Sequence, residues 1–335
     1  MNTLGLNTLV LAPFSSTGLT GLRKLGSVTY EPWPQTQMLW DPEELGQRLE
    51  AEGFGGLIVE IDFVFEELFS AASSLRFAAI CRAALNQVEV DAATEAGVVV
   101  VHTPGRNAQA VAELVLAHLL NLARHIPTAA SFVASGAWED PTEAYTRFQG
   151  RELAGSTLGL VGLGQIGKRV ASFSNALGMQ VLAYDPYVTK APAGVTLATL
   201  DDVLAASDFV SLHVPESDET QGLLDAGRIA LMQPTAYVIN VTSPAVVDSV
   251  ALASALREGR LAGAAMDVHA SHPIAPDSPF LGLANVTLTP HIGGATAETI
   301  ERHSAMVVED LTRYVSGRQP KRMANPAVWP RRKRS

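Results

Sequence analysis

Ser156-Thr157-Leu158-Gly159-Leu160-Val161-Gly162-Leu163-Gly164-Gln165-Ile166-Gly167 is the stretch whose reading decides the fold. The first six residues have the pattern of a buried strand, and the glycines follow without a break. Lys168 to Leu177 has helical composition, Gly178 stops it, and Val181-Leu182-Ala183-Tyr184 is a second strand ending in Asp185. A lone G-x-G-x-x-G is weak. Set between a strand and a helix, with an acid at a strand's end about twenty residues on, it is a dinucleotide fingerprint. Gly162 permits the tight turn, Gly164 lets backbone approach a pyrophosphate, and Gly167 allows close helix–strand packing. The helix's free N–H groups and positive end hold the phosphates. Asp185 suits the ribose hydroxyls and repels a 2′-phosphate, so NAD is the expected cofactor rather than NADP.

Outward from this stretch the same alternation continues. Downstream, Phe209 to His213, Tyr237 to Asn240, Ala264 to Asp267 and Val286 to Thr289 read as strands. Helical segments near 220–231 and 248–258 separate them. Upstream, Leu9 to Ala12, Gly56 to Glu60, Phe77 to Cys81 and Val98 to Val101 are short apolar runs, with a helix expected from Pro42 to Glu52. Strands separated by helices at this spacing indicate parallel sheets. Ala108 to Ala123 reads as a long buried helix, with Asn107 as its cap after the turn-rich Thr103-Pro104-Gly105-Arg106. A polar stretch, Ser135 to Arg151, follows it.

Bulk properties set the limits. The 335 residues exceed one hydrophobic core, and 47% apolar with 17% charged residues suits folded domains. A net charge of −10 argues against a nucleic-acid binder. The one basic run, Arg331 to Arg334, reads as a solvated tail. A single cysteine, Cys81, fits a buried apolar role in a reducing cytoplasm. No leader pattern and no run of 18 apolar residues is evident, so no membrane partner is expected. The histidines are scattered without paired carboxylates, so no metal site is expected.

Several separate stretches resemble one family in order. These are Asn86 to Ala93, Thr103 to Asn107 with Val111 to Leu114, the glycine fingerprint, Ser211 to Pro215, and Leu288 to Gly294. Together they resemble the D-isomer-specific 2-hydroxyacid dehydrogenases, which include D-3-phosphoglycerate dehydrogenase. The resemblance implies an α/β protein of two Rossmann-like, doubly wound parallel-sheet domains. An NAD domain over 106–292 is inserted in a flavodoxin-like substrate domain over 1–105 plus 293–335, with the active site in the cleft. It implies cofactor contacts from Asn107, Gly162, Gly164, Gln165, Ile166, Gly167, Asp185, His213, Val241, Thr242, Ser243, Asp267, His291 and Gly293. It implies substrate contacts from Ala84, Leu85 and Asn86, a small 2-hydroxy or 2-keto acid as partner, and a homodimer joined through the NAD domain.

Members of the family resemble one another in using a His for the proton, a Glu beside that His, and an Arg for the substrate carboxylate. Histidine suits reversible proton transfer near neutrality, and the guanidinium fork suits a carboxylate. His291 matches the family histidine. The family's Asn-x-x-Arg-Gly appears here as Asn240-Val241-Thr242-Ser243-Pro244, and its Asp-Val-Phe-x-x-Glu-Pro as Asp267-Val268-His269-Ala270-Ser271-His272-Pro273. Ser243 and His272 therefore stand where Arg and Glu are expected. Losing one partner of a buried charge pair costs about 2–5 kcal/mol. Ala84 also stands where the family often carries glycine.

Two functions follow. One is a dehydrogenase with a rebuilt site, for which Arg82, His269 and the amides near Asn86 are candidate donors. The other is a non-catalytic NAD(H)-binding sensor or interaction protein. His102 and His125 carry no pattern and read as surface or packing residues.

Overall fold

The computed structural model describes residues 5–333. The chain divides into two compact units, one running to Arg106 and resuming at Thr296, the other spanning Asn107–Ala295.

The first unit opens with β1 (Thr8–Val10), α1 (Ser16–Arg23), β2 (Val28–Tyr30), α2 (Trp33–Thr36), α3 (Pro42–Ala51) and β3 (Gly56–Val59). It continues through α4 (Glu66–Ala71), β4 (Phe77–Ile80), α5 (Val90–Glu95) and β5 (Val99–His102). The strands form one all-parallel sheet in the order β2-β1-β3-β4-β5, the flavodoxin-like order. β3 and β4 are buried at every position, which is why they read as unbroken apolar runs rather than alternations. Leu45, Leu49, Leu68 and Val100 belong to one core cluster, and Phe14, Leu22, Phe77 and Tyr314 to another.

The chain returns to this unit late. Thr296 caps the return helix through the Thr299 amide, and Asp310, buried near its end, accepts from Arg322 at 2.8 Å. The segment after it seals the β5 edge. His102 N donates to Arg322 O at 3.0 Å, Ala324 N to Val100 O at 2.8 Å, and Val101 bridges Met323 antiparallel. The Asn325 amide completes the seal, accepting from Val100 N at 3.0 Å and donating to Val98 O at 2.9 Å.

The basic tail departs from expectation. The Lys333 ammonium donates to Ser73 O at 2.9 Å and the Arg332 guanidinium lies 3.5 Å over the Trp329 ring, so the segment is docked rather than merely solvated. Unpaired carbonyls just before β4 give the cation a use that composition does not reveal. Arg334 lies outside the described residues.

A buried polar chain crosses this unit. Arg106 pairs with Glu60 at 2.6 Å and donates to His303 Nδ1 at 2.8 Å, and His303 Nε2 donates to Pro13 O at 2.7 Å. Arginine only donates, so His303 is the neutral Nε2–H tautomer. Burial first, with the Arg106 charge adding to it, lowers its pKa to about 4. The unfolded chain binds this proton below pH about 6.5 and the fold resists it to about 4, so stability is full above about 6.5 and falls toward 4. The loss should reach about 3 kcal/mol. His303→Gln, which keeps an acceptor and a donor, should flatten melting temperature against pH in that window.

The second unit begins with α6 (Ala108–Arg124), α7 (Ile126–Ala134) and α8 (Glu143–Arg147). Next come β6 (Thr157–Val161), α9 (Gln165–Ala176), β7 (Gln180–Tyr184), β8 (Val195–Leu197) and α10 (Leu200–Ala206). The unit ends with β9 (Phe209–Leu212), α11 (Ala226–Ile229), β10 (Tyr237–Asn240), α12 (Ser249–Arg257), β11 (Gly263–Met266) and β12 (Val286–Leu288). All seven strands are parallel, ordered β12-β11-β10-β9-β6-β7-β8. The order reverses between β6 and β9, the switch point at which such sheets bind ligands.

Two expectations for this unit are corrected. Asn107 makes no side-chain cap at α6; only its carbonyl enters, accepting from Val111 N. The helix expected near 220–231 shrinks to α11, because Gly222 takes φ +60° and Leu224 N turns to pair with Val246 O.

Candidate functional site

The site in the second unit is built from loops leaving the carboxyl ends of six parallel strands. After β6, Gly162 has φ +99°, and a Cβ there would lie 2.8 Å from the His213 carbonyl carbon. A Cβ on Gly167 would meet Gly162 O at 2.3 Å, whereas one on Gly164 would meet nothing within 4 Å. The first two glycines close the turn and seat the helix. The third leaves open space beside the start of α9, which has neither a side-chain cap nor an acid in its first turn. Gln165 and Ile166 begin that helix, so its N-terminus would meet a pyrophosphate with bare amides. These residues fit NAD.

Asp185 follows β7. Its Oδ2 accepts from Leu163 N at 2.8 Å and its Oδ1 from Tyr187 N at 2.9 Å, so the glycine loop and the acid are locked together. Each oxygen keeps a lone pair for a ribose hydroxyl. The Tyr187 hydroxyl donates to Glu219 Oε2 at 2.9 Å, placing a second carboxylate nearby. Two anions at this end disfavour a 2′-phosphate. NADH should bind at least about tenfold tighter than NADPH, a gap of some 1.4 kcal/mol. Asp185→Ser should narrow it, as titration calorimetry would show; equal affinities in the wild type would refute the assignment.

His213, after β9, lies against the glycine loop, its Cδ2 3.8 Å from a Cβ built on Gly167. Its Nε2 meets Ser211 Oγ at 2.9 Å while Nδ1 is enclosed without a partner. Burial lowers its pKa to about 4, so it is neutral at physiological pH.

After β10 the chain turns on its own hydrogen bonds. Asn240 donates to Ser243 O at 2.8 Å and accepts from Thr242 N at 3.1 Å, while Thr242 Oγ1 donates to Val214 O at 2.5 Å. Val241 is half-buried between them. Ser243, only 4% exposed, donates to Glu216 Oε2 at 2.6 Å and accepts from Ala245 N at 3.2 Å. Its hydroxyl is consumed inside the loop. Glu216 was not legible in the sequence, since it sits 27 residues away on the loop after β9.

Asp267, buried at the end of β11, organises the last loop. Its Oδ1 accepts from Thr289 Oγ1 at 2.6 Å and Ile292 N at 2.9 Å, and its Oδ2 accepts from Gly293 N at 2.7 Å. These bonds hold His291 at φ +58°, a left-handed conformation uncommon for a non-glycine residue. His291 Nδ1 stands 2.9 Å from His272 Nε2, with both rings exposed. His269 Nε2 donates to Thr289 O at 2.8 Å, because a carbonyl can only accept. That nitrogen is therefore spent on the loop. Behind the site His118, buried on α6, has neither ring nitrogen hydrogen-bonded, and burial lowers its pKa.

The other candidates lie in the first unit, on the loop after β4. Ala84 and Asn86 are exposed, and Leu85 packs on the core cluster beside it. Among the described residues, the left-handed non-glycine positions are Gln37, His125 and His291, so residue 84 requires no glycine. His102 holds this loop through Ala83 O at 2.9 Å. The half-buried Arg82 side chain makes no hydrogen bond or ion pair with the described residues, and burial lowers its pKa. Cys81 beside it is buried, which pushes its thiol pKa up. Among the described residues no group of three His, Cys, Asp or Glu could hold a metal, and no helix is long and apolar enough to cross a membrane.

Residues 116–293 match the family model for the D-isomer specific 2-hydroxyacid dehydrogenase, NAD binding domain. The chain is 35% identical over 312 residues to YoaD of Bacillus subtilis, named as a 2-hydroxyacid dehydrogenase, across 92% of this chain and 91% of that one. It is 38% identical over 268 residues to D-3-phosphoglycerate dehydrogenase of Archaeoglobus fulgidus, covering 79% of this chain but 50% of that relative's length. Among solved structures, the TT0316 protein from Thermus thermophilus has a TM-score of 0.85 at 35% identity, over 95% of this chain and 100% of that chain.

Proposed function

Because this chain belongs to the D-isomer-specific 2-hydroxyacid dehydrogenase family, we propose that it moves a hydride between NAD and a CH–OH carbon, with a histidine pair handling the proton. The carrying observation is the 2.9 Å contact between His291 Nδ1 and His272 Nε2. NAD bound at the glycine loop supplies or accepts the hydride. In the oxidative direction His291 takes the hydroxyl proton on Nε2 and donates its Nδ1–H to His272, which accepts as a neutral ring. In the reductive direction the pair carries one positive charge and His291 Nε2 gives its proton to the carbonyl oxygen. A second proton on the pair would set N–H against N–H and break it. His272 thus does a carboxylate's orienting work without its charge. Ser243 and Pro244 supply no cation for a substrate carboxylate.

A panel of 2-keto compounds with NADH, followed by loss of reduced-nicotinamide absorbance beside an NADH titration, tests this. Turnover of one compound supports the dehydrogenase. Tight NADH binding with none turned over would favour an NAD(H) sensor, the reading to which the closed Ser243–Glu216 contact lends weight.

The apolar side chains Ile126, Val133, Trp138 and Tyr145 of the α7–α8 region are 48%, 56%, 51% and 82% exposed, which supports a homodimer formed through this face. Trp138→Glu together with Tyr145→Glu should then halve the mass seen by sedimentation. The buried, unpaired Cys81 supports a reducing, cytoplasmic location.

A further inference from the structure

We propose that Glu216 sets the substrate charge: the site selects a ketone or secondary alcohol whose adjacent carbon bears an ammonium, not a carboxylate. This rests on the reading that the strand-end loops of the second unit form the reacting site. There the Ser243 hydroxyl is buried and donates to Glu216 Oε2 at 2.6 Å, so the side chain of residue 243 offers a ligand no free donor. Glu216 is exposed, and its other oxygen has no hydrogen bond with the described residues. Neither loop brings a compensating cation, since no Lys or Arg occurs in 191–227 or 229–256. The fixed charge beside β10 is therefore negative. A carboxylate substituent meets it as a like charge, and an ammonium meets it as a partner.

The reaction balances. A 1-amino-2-ketone takes a hydride from NADH at the carbonyl carbon and a proton from His291 on oxygen. The products are the vicinal amino alcohol and NAD.

Three ketones sharing an acetyl group make the test: aminoacetone (cation), pyruvamide (neutral) and pyruvate (anion). Each is titrated into the protein–NADH complex by calorimetry, and turnover is followed separately. The expected order of affinity is aminoacetone, pyruvamide, pyruvate, with at least about tenfold between the extremes. Glu216→Gln should erase that preference while NADH binding is retained. Pyruvate binding best, none of the three binding, or an order unchanged in Glu216→Gln would overturn the proposal. Binding in the expected order without turnover would uphold the charge assignment while removing the dehydrogenase reading. Turnover with pyruvate preferred would do the reverse.

Discussion

His291→Asn is expected to lower turnover of whichever 2-keto compound the protein reduces by about 10²–10⁴-fold, the usual worth of a positioned proton donor. The NADH dissociation constant should stay within a few-fold, because the glycine loop, the bare start of α9 and Asp185 would hold the cofactor without the imidazole. Asparagine also tolerates the left-handed conformation found at φ +58°, so the loop that Asp267 ties down should survive. Stopped-flow reduction with fluorescence titration of NADH separates the two effects. A rate left untouched would place the proton donor elsewhere.

The second large effect is gained rather than lost. Ser243→Arg alone should achieve little, since the new guanidinium would lie against Glu216, the present partner of residue 243 at 2.6 Å, and be neutralised. Ser243→Arg with Glu216→Leu and His272→Glu should raise kcat/KM for pyruvate or glyoxylate at least about a hundredfold, some 2.7 kcal/mol of transition-state binding. The gains should exceed the product of the single effects, because carboxylate binding and proton transfer serve one transition state. Pro244 opens a 3-10 turn and lacks an N–H, so its change to glycine is a further step if the arginine is held away. His272→Glu also has its own signature. A carboxylate 2.9 Å from His291 would accept the Nδ1–H with a full charge, so this single variant should raise the reduction rate on its own. A triple variant that binds NADH yet reduces neither acid would mean that residues 216, 243 and 272 do not by themselves set the substrate.

Much of this was readable in the chain because buried parallel strands announce themselves. Val99 to Val101 and Leu158 to Val161 are fully buried, and their apolar runs admit one reading. β2 and β8, three-residue edge strands with no buried position, carry no buried apolar run to announce them. α1 is hidden for another reason. Its Gly18 and Gly21 look like helix breakers, yet a Cβ at Gly18 would come within 2.7 Å of the Ser304 side chain. Those glycines serve a close helix–helix approach that only the tertiary structure reveals. The site divides in the same way. Local motif spacing identified Asp185 and the glycine loop, and the family resemblance pointed to His291 and His272. Glu216 and the Asp267 bonds to Thr289, Ile292 and Gly293 join segments about two dozen residues apart, and no local pattern announces them.

The seal on β5 has a consequence for biosynthesis. Residues 322–325 supply the hydrogen bonds that close that sheet edge, yet they leave the ribosome after more than two hundred intervening residues. Unit 107–295 has all of its strands available before they emerge. The N-terminal sheet must wait with its outer strand bare, an open template for another nascent chain. Vectorial synthesis thus favours completion of the middle of this protein before its beginning. A ribosome stalled just short of residue 322 should display a protease-resistant middle and a chaperone-bound N-terminus.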